Sequence, residues 1–471
     1  MSFSSKQLFL DQFTPVSIYQ KIEEIFPNEV KFLFESSVNT SDGNFSYIIV
    51  GARERVIHKN EKSYHIDENG NKNDIESNPF LFLKDYYKKL DISYYKSLSN
   101  QLGIGLVDGF IGNVGYDMVK EFEPTLKKYM SNLDDKIGIA DLDLIRPKIV
   151  LGYSHKTSKL TIVTSYEPFF KYIEIIENTI KNGLPYLPLK KATLIEEGSF
   201  AHSKEHFFEM VQKSKEMIRS GDVFQILMTN RYTQKVEIDN LSFYRALRSK
   251  NPSPYLFLLE YENFAIAGSS PEVMVRLKDN KILLRPIAGT RKRGNTLIKD
   301  LEMENELLND PKELAEHVML IDLGRNDVGR VSKVGTVKVT DKMRVEKYSH
   351  VMHLVSDVES ELDSKYDMFD LFASVFTAGT MTGAPKIRAM ELIAEFEGIK
   401  RSFYSGSVAY FGFDGNMDSA ITIRTSLIKG DTIIFQAGAG IVADSIEELE
   451  FLEVTNKLAA NIATLKDLSN L

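Results

Sequence analysis

The chain has 471 residues, 43% hydrophobic and 26% charged, with a formal net charge of −8 and no cysteine. That length supports a large core and two structural regions, and the composition is that of a soluble globular protein. The missing cysteine excludes disulfides, cysteine-ligated metals and a thiolate nucleophile, and the acidic balance argues against a nucleic-acid partner, which favours basic patches. No run of about 18 apolar residues is present to span a membrane. The opening MSFSSKQLFLDQF lacks a basic segment followed by an apolar one. The expectation is a cytoplasmic protein with neither a membrane nor a nucleic-acid partner.

The first half carries short alternating stretches such as FSYIIVGARERVI, and the polar segment KNEKSYHIDENGNKNDIESN reads as a surface loop. Leu184 to Ser199, LPYLPLKKATLIEEGS, holds two prolines and reads as a linker. It divides an N-terminal region, 1–190, from a second region, 199–471, and the two are expected to interweave. A helix is predicted from Ser203, with Phe207, Met210, Val211, Ser214, Met217 and Ile218 at helical spacing and Gly221 as its stop. The runs VFQILMTNRYT, YLFLLEYENFAIAG, KILLRPI, SVAYFGFDG and AITIRTSLIKGDTIIFQAG read as strands. Strands with interspersed helices imply an α+β or complex α/β fold rather than a βαβ array.

Two acidic helices stand out. In NDPKELAEHVMLIDLGRND, Asp310 is placed to cap, Pro311 suits the first helical position, and Glu313 is placed to complete a capping box. Glu316 shares a face with Glu313 and has no such local role. In DSIEELEFLEVTNKLAA, Ser445 and Glu448 form a second capping-box pattern, and Glu450, Glu453 and Lys457 fall on one stripe. Four carboxylates facing one cleft would repel unless a cation sat between them. All-oxygen ligation suits Mg²⁺ or Ca²⁺. Spacing alone leaves open the plain alternative of two solvated helix faces.

Strand, Gly438, Gly440, Ala443 and helix fit G-x-G-x-x-A, yet no following strand with an acidic residue about 20 positions on is available for a dinucleotide fold. The preferred reading is a turn at a helix N-terminus whose N–H groups meet an anion. FTAGTMTGAPKIRAMELI is similar, with Pro385 in the first turn of a helix. Arg424 sits in an apolar strand between Thr422 and Thr425, where a guanidinium pairs with a carboxylate of protein or ligand. His350 and His353 lie three apart, and either a structural or a chemical role is open to them.

These pieces, in this order, resemble the chorismate-utilising enzymes, and within them the anthranilate synthase component I group. The resemblance is carried by LLRPIAGTRKRG, KELAEHVMLIDLGRNDVGRV, VEKYSHVMHLVSDV, FTAGTMTGAPKIRAMELI, SVAYFGFDGNMDSAITIRT and QAGAGIVADSIEELEFLEVTNK, which cover most of the chain from Ser199 onward. It implies antiparallel sheets packed as a sandwich with flanking helices. It implies that Glu316 and Glu453 ligate Mg²⁺, with Glu313 and Glu450 supporting through water. Arg424 and Tyr404 match contacts to the enolpyruvyl carboxylate of chorismate. Gly289, Thr290, Gly438, Ala439 and Gly440 match other substrate contacts, with Thr380 and Lys457 beside them. Glu272 matches the general acid that protonates the departing C4 hydroxyl, and His353 the residue that serves pyruvate elimination.

Single positions separate the reactions of this family. Related aminodeoxychorismate synthases commonly carry a nucleophilic lysine where this chain has Ala288. Isochorismate and salicylate synthases carry a water-activating lysine where it has Gln225, which is no general base. Both imply ammonia as the nucleophile and anthranilate as the product. An aminodeoxychorismate or aminodeoxyisochorismate synthase, or a silent regulatory subunit, is the alternative. With no cysteine, the chain cannot hold a glutaminase of the thiolate type, so a separate glutamine amidotransferase subunit is the expected ammonia source. FLFESS resembles the element with which the family binds tryptophan as feedback inhibitor. Ser36 is the matching contact, joined by Pro254, Tyr255 and Leu256 of NPSPYLF. The following NFSYIIVG departs from the family's pattern.

Overall fold

In the computed structural model, residues 2–36, 45–183, 186–348 and 351–471 are described. His350, and Leu184 and Pro185 at the start of the expected linker, lie outside the described residues. Among the described residues, the ladders between named strands are antiparallel. Helices lie against this large sheet system, and one main hydrophobic core runs through both halves of the sequence.

Two long early strands, Phe45–Lys59 and Leu142–Ser154, pair along most of their length. From them the ladders diverge. One direction runs through Lys31–Glu35, Tyr255–Glu260, Ala265–Ser270, Thr425–Lys429 and Thr432–Ile441 to Gln225–Glu237. The other runs through Gly109–Val114, Ser407–Gly412, Met417–Ile421, Val273–Lys278 and Lys281–Leu284 to Val351–Glu361. Residues before 190 therefore pair directly with residues after 199, as in Leu256 opposite Glu35 and Ser407 opposite Val114.

Local sequence explains most elements. The helix Lys204–Arg219 begins at Ser203, whose side chain accepts from the His206 N–H, and it buries Phe207, Met210, Val211 and Ser214. Gly221 follows it with a positive φ, the left-handed conformation that suits glycine. The polar segment after Lys59 is a hairpin rather than a loop: Lys62–Ile66 and Lys72–Ile75 pair with each other, and the first also pairs with Phe45–Lys59. Its alternating residues are too polar to read as a strand, but the neighbouring edge supplies the hydrogen bonds that fix it. The linker is likewise not structureless throughout, because Thr193–Leu194 pairs with the far end of Gln225–Glu237.

Two further expectations change. Arg424 is not within a strand. The apolar run breaks between Met417–Ile421 and Thr425–Lys429, which pair with different neighbours, and Arg424 takes a positive φ in the link. Gly438, Ala439 and Gly440 form no turn. They lie inside the strand Thr432–Ile441, opposite Thr229, Met228 and Leu227.

Candidate active site

The candidate residues come from both ends of the region after 199, from Gln225 to Lys457. The helix Pro311–Gly329 starts at Asp310, whose side chain accepts from the N–H groups of Lys312 and Glu313. The expected capping box does not form. Glu313 turns away from the cap and accepts from Arg291, Nη1 to Oε1 at 3.1 Å. Burial pushes its carboxyl up, and the Glu316 charge adds to that. Glu316 itself accepts from the Gln225 amide, Nε2 to Oε1 at 2.9 Å.

The last helix, Glu447–Ser469, also lacks its expected capping box. Ser445 lies outside the helix, and its hydroxyl accepts from the Val442 N–H at 3.0 Å. Glu450 is half-buried; burial pushes its carboxyl up, the Ser445 hydroxyl opposes this, Glu453 adds repulsion and Lys312 of the other acidic helix counters it. Glu453 pairs with Lys457 at 2.7 Å, and Lys457 also donates to the Gly438 carbonyl at 2.8 Å. Among the described residues, no three of these glutamates place carboxylate oxygens within 4.8 Å of one another. The donor set is nonetheless all oxygen, with two pairs of mutually repelling carboxylates. That fits Mg²⁺, which binds one or two carboxylates directly and keeps waters and substrate oxygens in its shell.

Glu272 lines a small void with Leu320, Leu323 and Thr380. It is 7% exposed, and Thr380 donates to it, Oγ1 to Oε1 at 2.9 Å. Burial raises its carboxyl to about 7, against the lowering effects of Thr380 and Lys457. A carboxylic acid poised near neutrality is equipped to deliver a proton.

His353 stands on the strand Val351–Glu361. Its Nδ1 lies 3.0 Å from the Gly289 carbonyl and 3.1 Å from Thr290 Oγ1. A carbonyl only accepts, so Nδ1 carries the proton and Nε2 is the basic nitrogen. Burial lowers the imidazole from its ordinary value, so it is neutral and able to accept a proton at neutral pH. Gly289 needs to be glycine here. Its φ is positive, and a Cβ would come within 3.0 Å of Leu307 and 3.1 Å of Glu313 Oε2.

Arg424 donates to the Lys457 carbonyl at 2.7 Å. Burial disfavours its charge, while Tyr404 and Glu453 support it, as expected of a cation placed to receive an anion. Tyr404 is buried, its phenol raised to about 12 chiefly by that burial. Gly438 lets backbone approach closely, since a Cβ there would sit 2.9 Å from the Met228 carbonyl, and Gly440 leaves room for a side chain, since its Cβ would sit 2.7 Å from Gln225 Nε2. The structure thus links Glu313, Glu316 and Gln225; Glu450, Glu453, Lys457 and Gly438; Glu272 and Thr380; and His353, Gly289 and Thr290. Ala439 is buried within the same strand as Gly438. Sequence reasoning misses Arg291 and Lys312, the cations beside Glu313 and Glu450; Lys312, in the first turn of the acidic helix, is the readable signal.

The model of the family described as chorismate binding enzyme matches residues 15–463. The chain belongs to the chorismate-binding enzyme family. It is 39% identical to anthranilate synthase component 1 of Aquifex aeolicus, covering 96% of this chain and 92% of that one. It is 37% identical to anthranilate synthase component 1 of Acetivibrio thermocellus, covering 98% and 94%. Among solved structures, anthranilate synthase component I of Streptococcus pneumoniae superposes with a TM-score of 0.78 at 32% identity, over 90% of this chain and 93% of that one. The menaquinone-specific isochorismate synthase of Escherichia coli shares the fold, with a TM-score of 0.73 at 17% identity over 98% and 95%. This family member therefore carries the mixed, largely antiparallel architecture of its relatives. Among the described residues, no helix is long and apolar enough to cross a membrane.

A cavity of about 1050 Å³ is lined by Pro271 and Val273 but not by Glu272 between them. Ser36, Pro254, Tyr255 and Leu256 all line it, as do Glu35 and Arg276. The Tyr255 hydroxyl donates to Asp418 at 3.0 Å and accepts from Arg276 at 2.9 Å.

Proposed function

We propose that this chain is the chorismate-converting component of an anthranilate synthase, joining ammonia to chorismate and releasing anthranilate, pyruvate and water. The observation that carries the reading is Glu272, a buried carboxyl held by Thr380 and raised to about 7, in a chain 37–39% identical to several anthranilate synthase components. Ammonia attacks C2 of the ring while the C4 hydroxyl departs as water, taking the proton of Glu272. His353, basic at Nε2, serves the second step, in which the C2 proton is removed and the enolpyruvyl group leaves as pyruvate. Arg424 and Tyr404 bind one substrate carboxylate, and the 438–440 backbone with Gly289 and Thr290 orients the rest. Thr380 and Lys457 tune the acid.

Glu316 and Glu453, supported by Glu313 and Glu450, would hold Mg²⁺, which when bound supplies positive charge against a substrate carboxylate. Gln225, an amide engaged with Glu316, cannot activate water, and Ala288 cannot attack the ring. Both support ammonia as the nucleophile. The ammonia comes from a separate glutamine amidotransferase subunit in the cytoplasm. The N-terminal region, 1–190, contributes to regulation and partner contact, and the 1050 Å³ cavity takes tryptophan as feedback inhibitor. Purified chain given chorismate and Mg²⁺ is expected to form anthranilate with ammonium but not with glutamine. Glutamine-dependent turnover without a partner would overturn the two-subunit assignment, and EDTA-insensitive turnover would overturn the metal assignment.

A further inference from the structure

Arg401 and Glu397 form an ion pair in which each side chain is only 1% exposed. Burying two charges is expensive and replaceable by apolar packing, so the pair's presence here calls for a reason beyond stability. Their hydrogen bonds supply one. Arg401 binds Glu397 through Nε at 2.9 Å and Nη2 at 2.6 Å, and its planar fork also reaches two backbone carbonyls. Nη1 donates to Met381 at 2.8 Å, and Nη2 to Leu227 at 2.8 Å. Glu397 accepts from both the N–H and the hydroxyl of Thr229, each at 2.9 Å.

Each of these partners adjoins a residue of the site. Met381 follows Thr380 in one tight turn, and Thr380 holds Glu272. Leu227 and Thr229 lie on the strand of Gln225, opposite Gly440 and Gly438. Arg401 also accepts through its carbonyl from the N–H of Tyr404 at 3.2 Å. Its guanidinium caps the Tyr116 ring, 4.8 Å from the centroid. The segments that carry Thr380, Gln225 and Tyr404 are thus tied to one buried residue.

We infer that Arg401 and Glu397 are a positioning pair, fixing the Thr380 turn against the Gln225 strand so that Thr380 reaches Glu272. Lysine cannot reproduce this, because an ammonium lacks the flat fork that meets Glu397 and two carbonyls together. The inference rests on the reading of Glu272 as the acid for chorismate. Thr380 favours ionised Glu272, as does Lys457, and Arg285 and Asp327 line the small void beside it. Loosening Thr380 therefore moves the alkaline limb of kcat upward.

The test compares wild type with Arg401→Lys, measuring ammonia-dependent kcat from pH 6 to 9 and checking folding by circular dichroism. A folded Arg401→Lys protein is expected to lose at least tenfold in kcat and to show an alkaline limb shifted upward. Unchanged kcat, or reduced kcat with an unmoved limb, would overturn the inference. If Arg401→Lys does not fold, Thr229→Val decides, since it removes one hydroxyl from Glu397; at least a threefold loss with the same upward shift is expected, and an unmoved limb overturns the pair's role. Failure of the wild-type chain to convert chorismate would instead overturn the reading on which the inference stands.

Discussion

Replacing Glu272 with glutamine separates what the site does for stability from what it does for chemistry. The folded protein releases this proton near 7, whereas an unperturbed glutamate releases it near 4.5. Between those values the folded state holds a proton that the unfolded chain has lost. Stability from this group is therefore complete below 4.5 and is lost as pH rises from there through about 7. A shift from 4.5 to about 7 corresponds to roughly 3 kcal/mol between the two limits. Glutamine keeps the shape and still accepts from Thr380, but never ionises. Glu272→Gln should match wild type in urea unfolding at pH 4.5 and exceed it by about 3 kcal/mol at pH 8.5. The same variant should lose about 10²–10⁴ in kcat, the usual contribution of a positioned acid. Equal stability differences at both pH values would show that burial does not raise this carboxyl, and kcat within twofold of wild type would show that Glu272 is not the acid.

The other predictions address separate parts of the cleft. His353→Ala should slow elimination more than amination, so an aminated intermediate that retains the enolpyruvyl group should build up in chromatograms; equal loss of both steps would make His353 structural. Gly289→Ala should lower stability by about 2 kcal/mol in urea unfolding, the usual scale for a side chain forced into left-handed backbone. Its new methyl would also meet Leu307 and Glu313, so the KM for chorismate should rise. Ser36→Ala should weaken tryptophan inhibition at least fivefold with kcat within twofold, as measured by inhibition curves; an unchanged curve would remove Ser36 from the regulatory site.

The elements most legible in the sequence are those set by short-range periodicity. The helix after Ser203 has its cap, its buried stripe and its terminal Gly221 close together in the chain, and all are found where the spacing puts them. The two Glu-x-x-Glu stripes are equally readable. Less legible are features fixed by partners distant in sequence. Gly438 to Gly440 read locally as an anion-meeting turn at a helix N-terminus, but pairing with Leu227 to Thr229 keeps them in a strand. Arg424 reads as continuing an apolar strand, yet the residues on its two sides join different neighbours and force a break. Glu313 looks like a capping residue until Arg291, from a separate strand, competes for it. The buried tie between Arg401 and Glu397 has an ordinary i, i+4 spacing, and nothing local announces that it is buried or that Thr229 joins it.

Nitrogen and water are distinguished as nucleophiles by turnover with ¹⁵N-ammonium and Mg²⁺ in ¹⁸O-water, followed by mass spectrometry of the products. Anthranilate carrying one ¹⁵N is expected, with pyruvate formed in equal amount. A ring product bearing ¹⁸O and no ¹⁵N would show that the site adds water instead.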